Sequence, residues 1–174
     1  GVTLSTGGQR NEAQVFIRGF DSTQTTLNID GVPVYVPYDG NIDLSRFLTG
    51  DLSQVVVSKG LSSLMYGPNN MGGSINLITK RPTQPLSGRV DAGFTAGKNG
   101  VFSRHIGAQI ASRPNDLFYI QGGFERLSSG NFPLSSAYQA DAVQPKGERL
   151  NAYAKTTNTN LRIGFTPNAT DEYT

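Results

Sequence analysis

The chain contains no cysteine, which removes disulfide frameworks, thiolate metal sites and thiol nucleophiles together. Its single histidine, His105, speaks against a His-paired metal site and a Ser-His-Asp triad. No stretch approaches the ~18 consecutive apolar residues of a membrane helix, and the N-terminus lacks the basic-then-apolar pattern of a signal peptide. Charge of one sign is not concentrated either. Lys plus Arg is 15 and Asp plus Glu is 13, a formal +2, and the basic residues are scattered singly, which argues against a nucleic-acid partner. With these absences no catalytic residue, metal site or cofactor is expected, and an enzyme is the weakest reading.

What the chain has in excess is glycine: 21 of 174 residues, beside 9 prolines, where a globular chain averages about 7 % Gly. This points to many turns and short strands and away from long helices. The length suits one ordinary domain with its own core, yet the grammar changes near residue 82. Before it, short strands are expected over 14–20, 26–36, 54–59 and 74–80, joined by Gly/Pro/Asn turns. Over 43–48 one or two turns of helix are expected, with Asp43 as N-cap and Leu44, Phe47 and Leu48 on one face. A second short helix is expected over 62–66. Asp30-Gly31 ahead of Val32-Pro33 is a turn signal, because Gly admits positive φ and Asp can bond the local backbone. The result is a small α+β unit.

From Ser87 the alternation lengthens. Val90, Ala92, Phe94 and Ala96 oppose Arg89, Asp91, Gly93 and Thr95, so one face of this strand is apolar and the other polar. Phe102, Ile106, Ala108 and Ile110 oppose Ser103, His105, Gly107 and Gln109, with Arg104 interrupting the apolar side. Two more such runs follow, Phe118 to Glu125 and Asn160 to Thr166. Each has roughly the 9 to 11 residues that a tilted strand needs to cross a bilayer. A soluble sandwich would show the same alternation. The connections separate the two readings: 112–116 (SRPND) and 167–171 are tight turns, whereas 128–158 is a long polar loop with Gly130, Pro133, Pro145 and Gly147. Short turns on one side and long loops on the other are expected of an outer-membrane barrel, and a compact soluble domain seldom carries so long an unstructured loop.

Two motifs lead nowhere chemically. Residues 67–74 (GPNNMGGS) have the spacing of a phosphate loop, but Gly73 stands where the lysine must be. Asn168-Ala169-Thr170 fits a glycosylation sequon and reads more simply as an Asn/Asp-rich reversal.

The first half resembles the plug of TonB-dependent outer-membrane receptors, in residue identity and order. QVFIRGF resembles the family's strand ending in Arg-Gly, and NIDGVPV its Asp-Gly-x-Pro turn. VVVSKGLSSLMYGPNNMGGSINLITKRP is similar to its signature run of strand, Lys-Gly, short helix closing in Tyr-Gly, Gly-Gly pair and last plug strand. The resemblance is close over residues 1–82 and rests on barrel-like alternation from 83 to 174. Leu61, where the family usually has proline, and Gln54, where an acidic residue is common, depart from it.

The resemblance implies an α+β plug domain over 1–82, followed over 83–174 by the first antiparallel strands of a transmembrane β-barrel, here truncated. The chain opens at Gly1 in mid-pattern and stops at Thr174 inside an expected strand, so a piece of a longer protein is anticipated. Its segment for the energy-transducing partner TonB would lie upstream. The implied function is uptake of a scarce nutrient across the Gram-negative outer membrane, with a ferric siderophore as substrate class and outer-membrane lipid around the barrel. The plug apex would be built from 21–25 and 35–41. This makes Asp21, Gln24, Tyr35, Tyr38, Asp39 and Asn41, with Arg10, the candidate ligand contacts: tyrosines offer flat amphipathic area and the others hydrogen bonds. Arg18, Lys59, Lys80 and Arg81 are charges on or beside strands that should be buried, and buried charges need partners. Arg18, Lys59 and Arg81 are therefore candidates for locking the plug to carboxylates of the inner barrel wall. The alternative is a soluble β-rich adhesion or interaction module. Residues 87–174 alone should present open edges and aggregate.

Overall fold

A computed structural model describes residues 1–7, 12–34, 40–60, 70–97 and 100–174; the helix expected over 62–66 lies outside them. The chain divides into two compact units, Gly1–Arg81 and Pro82–Thr174.

In the first unit, β1 (Val2–Gly7) and β2 (Glu12–Ile17) form an antiparallel pair. A four-stranded sheet holds β3 (Thr25–Ile29), β4 (Val32–Val34), β5 (Leu52–Lys59) and β6 (Gly73–Thr79) in the order β4-β3-β6-β5. Among the described residues only the β3–β6 pair is parallel. β6 is central, and its Ser74, Ile75, Leu77 and Thr79 are buried, as expected of a strand covered on more than one side. Val15 and Ile17 on β2, Leu27 on β3, and Ile75 and Leu77 on β6 alternate inward and meet Ile42 in one hydrophobic cluster. Period-two spacing is what places each pair on a single face.

Two expected strands are interrupted by a reversal, for one reason. At Arg18-Gly19, φ is 54° and 88°, and at Asp30-Gly31 it is 50° and 84°. Each pair sits at the tip of an antiparallel reversal, Ile17 pairing with Phe20 and Ile29 with Val32. Two consecutive positive φ values suit the right-handed twist of a two-residue hairpin. The strand expected over 14–20 therefore ends at Ile17, and that over 26–36 is split into β3 and β4. The helix expected over 43–48 is a single 3-10 turn, Leu44–Arg46, with Asp43 as its N-cap. A second such turn, Ser22–Gln24, capped by Asp21, was not expected. Gly73 has φ 138°, and a Cβ there would lie 2.1 Å from the Ser58 carbonyl oxygen, so β5 and β6 can close on each other only at a glycine.

The second unit is one antiparallel sheet of β7 (Ser87–Gly97), β8 (Gly100–Ser112), β9 (Phe118–Ser129) and β10 (Ala154–Phe165), in chain order. The four expected strands are all present. The long loop is 130–153, shorter than 128–158, because Thr156 and Asn158 pair with Leu127 and Glu125, and the Thr-rich start of β10 suits a strand. The register places Asp91, Gly107, Glu125 and Asn158 in one transverse row, and Val90, Ala108, Phe124 and Thr159 in the next, on the other face. The apolar face is bare: Val90 is 79 % exposed, Phe94 73 %, Leu161 72 % and Ile110 63 %.

Candidate functional site

Two polar surfaces come out of this scaffold, one in each unit. In the first, Asp21 accepts from Thr23 N at 2.9 Å and Thr23 Oγ1 at 2.6 Å, both on Oδ1. The backbone carbonyl of Gln24 accepts from Gly72 N at 3.0 Å, which pins this turn beside the Gly-Gly pair. Its side-chain amide makes no hydrogen bond among the described residues. Asn41 sits at the centre of a polar cluster: Oδ1 accepts from Ser22 Oγ and from Gln14 Nε2 at 3.4 Å, while Nδ2 donates to Glu12 Oε2 at 3.3 Å. Asn41 thus fastens β2 to the Ser22–Gln24 turn and has little hydrogen-bonding capacity left for a ligand. Arg10, Tyr35, Tyr38 and Asp39 lie outside the described residues. Of the seven candidate contacts, the structure therefore brings Asp21, Gln24 and Asn41 to one end of the unit.

Asp43 extends this fastening. Burial opposes its ionisation, yet hydrogen bonds from the Ser45 hydroxyl and the Ala13 and Ser45 amides, with the nearby Arg46 charge, outweigh burial and hold its pKa below 3.8. Hydrogen bonds to the charged form act in that direction.

The candidate locking cations behave differently from one another. Arg18 is exposed at its hairpin tip, with its guanidinium over Gly60, where a Cβ would meet Nη1 at 3.2 Å. Lys59 is exposed at the end of β5. Neither is buried as expected, because a turn tip and the end of a strand leave room for a long side chain to reach water. Lys80 donates to the Gly50 carbonyl at 3.0 Å. Arg81 is partly buried and held within its own unit, 3.8 Å from Asp30 and donating to Thr79 Oγ1 at 2.7 Å. Asp30 in turn accepts from Thr79 N at 2.9 Å and Thr79 Oγ1 at 2.7 Å. Sequence reasoning read Asp30 only as a turn residue. Its carboxylate also ties the hairpin tip to the end of β6, a contact across 49 positions that no local signal announces.

In the second unit the polar face of β7–β9 carries a continuous chain. Arg89 Nε lies 3.1 Å from Asp91, Asp91 lies 3.5 Å from His105 Nδ1, and His105 Nε2 lies 2.7 Å from Glu125. Gly107 makes this possible, since a Cβ there would stand 2.9 Å from the Asp91 carboxylate. His105 accordingly lies on the polar face, as its alternation indicated, with a carboxylate on each side. Farther along, the Tyr119 ring lies across Gly164, its hydroxyl donates to Glu172, and the Arg113 guanidinium is 5.9 Å from its centroid. At that end of the apolar face, Phe118 stacks on Phe165 at 4.9 Å and Phe165 on Tyr173 at 6.2 Å. An apolar outer band with an aromatic edge and a polar, charged reverse face is the pattern of an outer-membrane barrel wall.

Residues 1–74 match the family described as TonB-dependent Receptor Plug Domain. The chain carries a TonB-dependent receptor plug. Over 126 residues it is 31 % identical to the vitamin B12 transporter BtuB of Vibrio vulnificus, covering 72 % of this chain and 20 % of that protein. The chain thus spans about a fifth of the length of this relative. Among solved structures, the siderophore receptor PirA of Acinetobacter baumannii matches 97 % of this chain with 26 % of its own (TM-score 0.72, 20 % identity). A variant of the ferric enterobactin receptor PfeA of Pseudomonas aeruginosa matches 97 % with 27 % of its own (TM-score 0.75, 17 % identity). At these identities the likeness is one of fold, and it extends over both the plug and the four strands that follow it.

Proposed function

We propose that this chain belongs to an outer-membrane receptor that takes up a scarce nutrient, with a ferric siderophore as its substrate class and TonB as its energy source. The observation that carries the membrane part is the second unit's sheet. It leaves Val90, Phe94, Ile110 and Leu161 bare on one face, whereas the first unit buries Val15, Ile17, Leu27, Ile75 and Leu77 in a core of its own. A sheet in water would have to cover such a face. The proposed ligand contacts are Asp21, Gln24 and Asn41 with Arg10, Tyr35, Tyr38 and Asp39. Within that set Gln24 and the open Oδ2 of Asp21 are the better placed, and Asn41 is the organiser of the turn. Arg18 and Lys59 are the cations available to carboxylates of a surrounding barrel, whereas Arg81 is held by Asp30.

A second substrate reading, cobalamin, is favoured by the similarity to a vitamin B12 transporter. Uptake of labelled ferric enterobactin and of labelled cyanocobalamin by cells carrying the complete receptor, with and without TonB, tests both. TonB-dependent uptake of the iron chelate is the expected result. Uptake of cyanocobalamin alone would move the assignment to the second reading, and uptake of neither would remove both substrates.

A further inference from the structure

The apolar face of the second unit has one charged spot, and it is not random. Arg104 pairs with Ser128, and Ser128 with Lys155, so Arg104 and Lys155 flank Ser128 in one row across β8, β9 and β10. Arg126, one row deeper on β9, pairs with Ile106 and Thr157 and falls between them. Three exposed cations thus form a triangle around a hydroxyl, with about 10 Å between the outer two backbones. The acids keep to the other face. The acids of these strands, Asp91 and Glu125, share the opposite face with His105, and among the described residues none forms an ion pair with Arg104, Arg126 or Lys155.

Depth makes the arrangement meaningful. The triangle stands at the long-loop end of the sheet, and the stacked Phe118 and Phe165 stand at the short-turn end. From Phe118 to Ser128 the strand runs about 33 Å, which becomes about 25 Å at a tilt of ~40°, the height of an apolar barrel band. The cations therefore sit at one edge of that band, where headgroups begin. Beside them an open concavity of about 610 Å³ is lined by Ala92, Phe94, Ile106, Arg104, Arg126 and Ser128 among others. It presents apolar wall and guanidinium groups together, which suits a molecule with an acyl chain and an anionic head.

We propose that Arg104, Arg126 and Lys155 form a binding site for the phosphate of a lipid headgroup in the outer leaflet, with the lipid's acyl chain lying along Phe94 and Ile106. Guanidinium groups match phosphate oxygens in geometry as well as charge, and Ser128 can donate a further bond. The proposal rests on the membrane reading above.

The test uses the complete receptor, purified in detergent, delipidated, and titrated with phosphatidic acid or phosphatidylcholine of the same chains, with adducts counted by native mass spectrometry. The wild-type receptor is expected to retain phosphatidic acid in clear excess over phosphatidylcholine, and R104Q/R126Q/K155Q to lose that preference, by about fivefold for each cation removed. The wild-type preference should also fall with ionic strength, a readout that holds even where the triple variant fails to fold. Equal retention of the two lipids by the wild-type receptor overturns the site and leaves the membrane reading standing. A receptor that stays soluble without detergent and retains neither lipid overturns both.

Discussion

The two units use the same alternation for opposite purposes. In the plug, Val15, Ile17, Leu27, Ile75 and Leu77 alternate into a common core and are almost wholly buried. In the second unit Val90, Phe94, Ile110 and Leu161 alternate outward and are left bare, while Asp91, His105 and Glu125 occupy the other side. The period is identical, so the period alone says that a strand has two faces and is silent on which face meets the protein interior. The difference lies in what each sheet has to pack against. The plug supplies its own second layer, β1–β2 and the segment through Ile42, whereas the four long strands have no second layer over their apolar side among the described residues.

The largest break in this contrast should come from Gly73→Val. The substitution drives a side chain into the Ser58 carbonyl and demands a positive φ from a β-branched residue, together about 4 kcal/mol. In the complete receptor, limited proteolysis should open the plug while the heat-modifiable electrophoretic shift of the barrel stays normal. A plug that remains protease-resistant would contradict the close approach of β5 and β6. A step smaller, Leu161→Arg places charge on a residue that is 72 % exposed. In water such a change is nearly neutral, but in a bilayer it should destabilise the barrel by about 3 kcal/mol, read from urea unfolding in lipid vesicles. No loss of stability in vesicles would mean that this face does not meet lipid.

The smallest effect concerns the plug's Asp43. Its pKa is depressed in the folded state, so its stabilising contribution is present above pH 3.8 and fades as the pH falls through the folded value. Asp43→Ala should cost about 1 kcal/mol at neutral pH, the usual worth of such a cap, and this difference from wild type should begin to shrink below pH 3.8 and disappear once the pH is under the folded value. Denaturation midpoints of both proteins at neutral and acid pH measure it, and a gap that persisted in acid would assign the loss to packing.

Local chemistry was legible wherever neighbours in sequence are neighbours in space. The Asp43 cap, the Asp30-Gly31 reversal, the tight turns at 112–116 and 167–171 and the four long strands all follow from composition over a few residues. Arg18 was misread as part of a strand because the same two-residue reversal, with Arg in place of Asp, gives a weaker turn signal. The candidate contacts Asp21, Gln24 and Asn41, like the other four, were nominated by resemblance. That Asn41 ties Glu12, Gln14 and Ser22 together could not be read, since Gln14 lies 27 positions away.

By itself, then, the amino-acid order determined the element types, the two-faced character of each strand and the plug motifs, because propensity, turn chemistry and period act over short stretches of backbone. Only the tertiary structure decided the cross-strand register. Register put His105 between Asp91 and Glu125, laid Tyr119 over Gly164, joined Asp30 to Thr79 and gathered Arg104, Arg126 and Lys155 around Ser128. Each of these is a contact between strands, fixed by hydrogen-bond pairing and side-chain fit across many intervening residues, and no window of sequence contains it.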